Sequence, residues 1–528
     1  MPSITCGQPV DNKTERKTYG MKKTLKTYLL LTLALTIAAC TDDESFSTSP
    51  SNVLTFSKDT VCMDTIFSRV PSSTREFWVF NHSGDGIRCS SIRLQNGNQT
   101  GYRVNVNGVY LGEAQGFQIN NEEIRKGDSI RVFVELTSPL NNQDKPQLVS
   151  DDLIFNLESG VQQKVNLKAW SWDAEMMRDV VISDDYTLGG EKPTVIYGGI
   201  TVNENATLTI PAGKTVYFHA DAGIDVHGRL VCDGEQGKEV VLRGDRLDNM
   251  FDYLPYDGVS GQWKGITIHE NSNDNILNYT DLHAANDGII CLSDTFRTDY
   301  STTQLTIKNS TIHNCKGYGV YGFNSKMILE NTLISNTLHE SLLTYGGDVD
   351  VNFCTIAQFY PFDAARGAAL YFSHEADEAQ FPNMRLHIRN SIITGYAEDV
   401  ILRKDKETIN VDCVFDHCLL RTDETNDGEH FINNTFEDIE DTEVAGWKNF
   451  KTVDTDMLRY DFRLAETSLA IDKASAEAPA PAYDRDGNPR DSNPDMGCYE
   501  YIPQTDQEQD GTQTPEQNGI KKKTRKSL

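Results

Sequence analysis

Positive charge is scarce in this sequence: 49 Lys and Arg stand against 78 Asp and Glu in 528 residues, for a formal net charge of −29. Removing everything before Cys40 takes away six bases and two acids, so that remainder is more negative still. Such a surface repels nucleic acid and anionic lipid, which excludes nucleic acid as a partner, and it disfavours polyuronates away from a local basic patch. Long apolar runs are equally few. The most extended, residues 29–39, is about half the ~20 residues needed to cross a bilayer. No Cys-x-x-Cys occurs among the 11 cysteines, which removes the usual zinc and redox motifs. The string with Asp484, Asp486 and Asn488 lacks the Gly and late Glu of an EF-hand at their proper offsets, and there is no nine-residue calcium repeat. No metal or cofactor is therefore expected. Hydrophobic residues still make up 38%, enough for a sizeable core and two or three domains.

What is present is a recurring phrase within residues 275–421: LTIKNSTI (305–312), MILENTLI (327–334), VDVNFCTI (349–356) and LHIRNSII (386–393), with weaker copies at 275–282 and 413–420. Its fifth residue is Tyr279, Asn309, Asn331, Phe353, Asn390 and His417, at intervals of 30, 22, 22, 37 and 27. A period in the twenties with strand-type alternation marks a solenoid. Leu305, Ile307, Ser310 and Ile312 can share the inner face only if Asn309 breaks the alternation, and Asn tolerates a left-handed bend. Each phrase therefore reads as strand, corner, strand. Stacked about 4.8 Å apart, the rungs place Ile307, Leu329, Val351, Ile388 and Phe415 in one inward column. Thr280, Ser310, Thr332, Cys354, Ser391 and Cys418 form another. Outside, Lys308 should lie beside Glu330 and Arg389 beside Asp416, while Asn309 over Asn331 should form an amide ladder.

On these phrases the chain resembles the pectin-lyase-like superfamily of right-handed parallel β-helix repeat proteins over roughly residues 186–501. The opening rungs (200–218 and 223–234) and the closing strings AIDKA, YDRDGNPR and DMGCYEY carry the same resemblance. It implies an all-β fold: a right-handed parallel β-helix at 173–465, closed by a C-terminal cap at 466–502 and followed by a disordered tail at 503–528. Activity is not implied, since such coils serve lyases, hydrolases, adhesins and inert scaffolds alike.

Ahead of the coil, MKKTLKTYLLLTLALTIAAC at 21–40 has a basic start, a short apolar core and, at Ile37, Ala38, Ala39 and Cys40, a match to the bacterial lipobox. That resemblance implies translation from Met21, cleavage before Cys40 and lipidation of its thiol. Asp42, Asp43 and Glu44 resemble the acidic tag of surface-exported lipoproteins. The expected location is the cell outer membrane, lipid-anchored and facing outward. Residues 40–52 read as a flexible tether. Strand-like runs at 53–56, 77–80, 102–106, 129–136, 153–157 and 161–170 suggest a small immunoglobulin-like β-sandwich over 53–172, without an antibody-type disulfide between Cys62 and Cys89.

Two long excursions leave the coil, at 245–263 and 358–383, and both are rich in aromatics. Trp263 reads as core. Tyr253, Tyr256, Tyr360 and Phe362 are expected to be exposed and to bind an extracellular polysaccharide, since rings offer apolar faces beside polar handles. A second, weaker cluster is Asp281, His283 and His313, which the column register brings together for metal binding or acid-base work. Asp252 and Asp257 are candidates for a glycosidase pair. The alternatives to a carbohydrate-binding surface lipoprotein are a polysaccharide lyase or glycoside hydrolase of the same superfamily, and a structural or adhesive surface protein.

Overall fold

The computed structural model describes residues 45–503 except 98, 252, 377–378, 382, 404–411, 442–445 and 478–480. Cys40 with its flanking signal and acidic residues, Asp252 and all but the first residue of the tail expected at 503–528 lie outside the described residues. The chain divides into two compact units, residues 1–173 and 174–528.

The first unit is a β-sandwich of two five-stranded sheets. One is built on Arg75–Phe80, Ser129–Leu136 and Tyr102–Val106, the other on Thr60–Phe67, Gln162–Trp172, Gln147–Leu157 and Ile87–Leu94. Alternate residues face inward, so Phe77, Val79, Val104, Val132, Val134, Phe155 and Val165 are all within 1% of complete burial. Thr60–Phe67, Ile87–Leu94 and Gln118–Ile124 are strands the sequence reading does not anticipate. Cys62 is exposed and Cys89 buried, and each of the nine described cysteines is a free thiol.

The second unit is a right-handed parallel β-helix, the hand following from the right-handed crossover that parallel strands of L-residues adopt. Each rung has three strands. The first strands (Asn275–Asn278, Leu305–Lys308, Lys326–Glu330, Gly347–Asn352, Met384–Arg389, Asp412–Asp416) belong to a ten-stranded parallel sheet. The second (Thr280–His283, Thr311–Cys315, Leu333–Thr337, Thr355–Gln358, Ile392–Gly395) and third (Ile289–Leu292, Val320–Phe323, Leu342–Tyr345, Leu370–Ser373) share an eighteen-stranded one.

Between first and second strands sit Tyr279, Asn309, Asn331, Phe353, Asn390 and His417, all left-handed with φ between 42° and 53°. The expected columns follow. Leu277, Ile307, Leu329, Val351, Ile388 and Phe415 are in register and buried. At roughly 1.5–3 kcal/mol for each buried side chain, this column contributes on the order of 10–20 kcal/mol of burial to the coil. Asn331 Nδ2 donates to Asn309 Oδ1 at 3.0 Å and Asn309 Nδ2 to Asn278 Oδ1 at 3.0 Å, forming the amide ladder. Lys308 pairs with Glu330 at 3.2 Å. Arg389 and Asp416 are in register, but Arg389 turns to Asp350 and Asp416 accepts from His417 instead.

Two expectations are corrected. The coil strands run only to Thr435–Phe436, so 173–465 is too long. The segment expected as a cap over the last rung instead lies along the flank of the coil. The hairpin Phe450–Asp454 with Arg459–Leu464, together with Ala470, Met496, Cys498 and Tyr499, buries the outward residues Leu333, Ala357, Ile392 and Leu419. Those apolar side chains point away from the interior and would otherwise meet water, which is why the chain doubles back over them. It then follows the asparagine corner toward earlier rungs. Ser475 N donates to Asn390 Oδ1 at 2.8 Å, Asn331 Nδ2 to the Tyr483 carbonyl at 2.7 Å, and Gln236 Nε2 to the Asp486 carbonyl at 2.6 Å. Asp484 is fully buried and accepts from Asn488 and from the Glu500 amide, so its oxygens hold this strap together.

Candidate functional site

Chemistry gathers around the corner that joins second strands to third strands. The first excursion leaves there, after Val240–Gly244 and before Ile266–Ile268. It forms a short hairpin, Asn249–Phe251 with Leu254–Pro255, and a single turn at Tyr256–Gly258. Four rungs later the chain leaves the same corner again, between Thr355–Gln358 and Leu370–Ser373. The second excursion is thus shorter than expected. Tyr371 and Phe372 belong to a coil strand, and beyond it Glu375–Ala376 pairs with Ala379–Gln380 as a separate hairpin, with Phe381 buried edge-on against Phe323.

The four aromatic binding candidates divide. Tyr253 is 52% exposed and stacks on Phe251 with centroids 5.8 Å apart, and Phe362 is 43% exposed. Tyr256 is half-buried under the Arg246 guanidinium, 3.8 Å from its ring centre, with Arg246 itself held by Asp248. Tyr360 is not exposed: it is buried, and its hydroxyl meets Ser260 Oγ at 2.8 Å. That bond ties the two excursions together, so the ring sits beneath the surface and cannot reach a ligand. Trp263 is fully buried against Phe218 and donates to the His283 carbonyl.

The polar cluster does assemble. On the outer face of the second strands, Arg243 is followed in register by His283 and His313 on successive rungs, and the neighbouring column carries Asp281. His283 Nδ1 lies 2.8 Å from Asp281 Oδ1, and His313 Nε2 lies 3.2 Å from the same oxygen. From the first excursion Asp257 Oδ1 reaches His283 Nε2 at 2.7 Å and Arg243 at 2.8 Å. Burial alone would lower the His283 pKa, but a carboxylate on each ring nitrogen raises it to about 9. For Asp281, burial pushes upward and is outweighed by His283 and His313, which hold the carboxyl well below its ordinary range. Asp257 is likewise lowered, against its burial, by His283 and Arg243. Arg485, from the strap, lies close enough for its charge to interact with Asp281. The ligand atoms of Asp281, His283 and His313 all lie within 4.8 Å of one another. Asp257 was legible only as a carboxylate partner for Asp252, because its bond to His283 spans 26 residues with no periodicity. Arg243 could have been found by extending the histidine column one rung back.

Sequence reasoning also missed a strip on the third strands. Tyr321 and Tyr371 share an outward column two rungs apart, with Leu343 between them and Tyr345 in the adjacent column. Tyr345 contacts both rings edge-on, at 6.0 and 5.8 Å, and Tyr318 adds a fourth ring 5.2 Å from Tyr321. All four tyrosines are half-buried, whereas Leu343 is only 3% exposed. The signal was available in GYGVYGF, LLTYG and ALYFS at the coil period.

The first unit offers a shallow cleft of about 330 Å³ lined by Thr74, Arg103, Asn105, Tyr110, Phe133 and Glu135, where Arg103 and Glu135 neutralise each other at 3.1 Å.

No protein-family model matches this chain, and no curated protein does. Among solved structures it is similar to a family 123 glycoside hydrolase from Clostridium perfringens, at 6% identity and a TM-score of 0.16 over 24% of this chain and 30% of that one. It is also similar to the catalytic unit of a thermostable GH87 α-1,3-glucanase from Streptomyces thermodiastaticus strain HF3-3, at 10% identity and a TM-score of 0.29, covering 68% of this chain and 75% of that one. The Agl-KA catalytic domain is similar at 12% identity and 0.17, covering 69% and 79%. The chain thus spans less than a third of the first of these proteins. At scores this low the likenesses carry no argument, and the architecture rests on the strand register.

Proposed function

We propose that this chain is an outer-membrane lipoprotein, anchored through Cys40 and facing outward, whose β-helix binds extracellular polysaccharide without cleaving it. The observation that carries the binding reading is the tyrosine strip: Tyr318, Tyr321, Tyr345 and Tyr371 occupy three successive rungs of a rigid face. Half-buried rings are already ordered, so stacking a sugar on them costs little side-chain entropy. Rungs about 4.8 Å apart form an extended track rather than a pocket, which suits a chain of sugar rings. Exposed Tyr253 and Phe362 on the excursions are further contacts in this reading.

Electrostatics favour binding over hydrolysis at the Asp257 and Asp281 cluster. A glycosidase needs one carboxyl raised toward neutrality as general acid, and both of these are pulled down. The test is a polysaccharide panel in affinity electrophoresis, comparing the protein with Tyr321→Ala, Tyr345→Ala and Tyr371→Ala. Retention that falls at least tenfold for Tyr345→Ala supports the reading. Release of reducing ends or unsaturated uronate would establish an enzyme instead. Neither retention nor release would leave a structural or adhesive surface protein.

A further inference from the structure

Glycan stacking leaves unexplained why His283 is gripped at both ring nitrogens. A carboxylate bonded to the far nitrogen of a histidine is how proteins orient an imidazole whose near nitrogen ligates a metal. We propose that Asp281, His283 and His313 form a site for a divalent transition-metal ion of the zinc type, with Asp257 orienting His283.

The coil supplies the triangle. Asp281 and His283 are two residues apart on one strand and share its outer face, and His313 is the register partner of His283 on the next rung. Asp281 Oδ1 lies 2.8 Å from His283 Nδ1 and 3.2 Å from His313 Nε2. Metal bonds of about 2.0–2.2 Å put ligand atoms roughly 3.3 Å apart in a tetrahedral site; the two Asp281 sides of the triangle are close to that, and the three ligand atoms all lie within 4.8 Å of one another, so small side-chain rotations bring them onto one ion. Two imidazoles and one carboxylate select a transition metal over calcium or magnesium, which prefer all-oxygen shells. Asp257 Oδ1 occupies His283 Nε2 and so assigns Nδ1 to the metal, while Arg243 on the same oxygen balances the charge of Asp257. The His283 side chain is 7% exposed, but those of Asp281 and His313 are 32% and 26% exposed, which opens an entry path and leaves further coordination positions to water.

The test uses the full chain, stripped of metal with a chelator and titrated with Co²⁺ and Zn²⁺. The expected result is one equivalent bound per chain, a Co²⁺ visible spectrum of a nitrogen-containing low-coordinate site, and two imidazole nitrogens at about 2.0–2.1 Å in X-ray absorption of the Zn²⁺ form. His313→Gln should weaken binding at least tenfold, Asp257→Asn by about 10–100-fold as a positioning residue, and Glu330→Gln not at all. X-ray absorption of the unaltered protein decides the question even where a variant fails to fold. Binding that ignores His313→Gln, or a Zn²⁺ environment of oxygen alone, overturns the site. Metal bound as expected without glycan retention would leave this site standing and refute the carbohydrate reading alone.

Discussion

Replacing Asn331 with Ala should cost far more than the same change at Asn309, although the two residues occupy the same place in the repeat. Both are left-handed, so each loses about 1–2 kcal/mol when a Cβ without a compensating amide must hold φ near 50°. Asn309 shares two ladder bonds, to Asn278 and Asn331. Asn331 is buried and makes three: Nδ2 donates to Asn309 at 3.0 Å and to the Tyr483 carbonyl at 2.7 Å, and Oδ1 accepts from Arg490 at 2.8 Å. At about 1 kcal/mol for a neutral bond and about 1.5–3 for one to a charged group, Asn331→Ala should lose about 4.5–7 kcal/mol and Asn309→Ala about 3–4. Asn331→Gly, which relieves the backbone but not the lost bonds, should recover at most about 1 kcal/mol. Urea unfolding followed by tryptophan fluorescence, with the other four tryptophans replaced by Phe so that Trp263 reports alone, measures all three. Equal midpoint shifts for the two alanine variants would refute the strap contact, and a shift below about 0.5 kcal/mol for Asn331→Ala would refute the ladder as well.

Ile334→Asp should cost several kcal/mol because a charge would enter a fully buried column, while Glu330→Gln, at a partly exposed pair with Lys308, should cost about 1 kcal/mol or less; equal thermal shifts would contradict the column assignment. Burial pushes Glu500 up to about 7 despite Arg490, so the folded state binds its proton more tightly than the unfolded state near 4.5. Its contribution is therefore complete below pH 4.5 and lost as pH rises through 7, on the order of 3 kcal/mol, and the difference in unfolding free energy between the protein and Glu500→Gln should slope across that window. A flat difference would contradict the burial. Cys40→Ala should abolish lipidation, whereas neutralising Asp42, Asp43 and Glu44 should keep lipidation but hide the protein from protease shaving of whole cells; undiminished digestion of the neutralised variant would contradict the surface tag.

The coil was legible because its physics is local and periodic. An inward column tolerates only aliphatic or small residues, and a left-handed corner selects Asn, so register follows from Leu305 to Phe415 without any structure. That register also placed His283 beside His313. What stayed illegible depends on contacts without a period. Tyr360 is buried, with its hydroxyl against Ser260 one hundred residues earlier, a contact that no local pattern announces. Residues 466–502 read as a cap because a solenoid needs one, whereas Leu333, Ile392 and Leu419 on the outer face give them an apolar flank to cover. Tyr371 was assigned to a loop because the 37-residue interval holds two inserts with a coil strand between them.

The returning strap changes how this solenoid must unfold. In an open repeat array each rung answers only to its neighbours, and ends fray independently of the middle. Here Ser475 and Gly497 fasten to Asn390, Cys498 to Thr355, Arg490 to Asn331 and Asp486 to Gln236, so rungs far apart in the stack share one fastening. Opening any rung between Gln236 and Asn390 must then also disturb the strap, which couples those rungs to one another as a cooperative block. Because those fastenings join residues up to 250 apart, the block cannot close until residues 475–498 have been made.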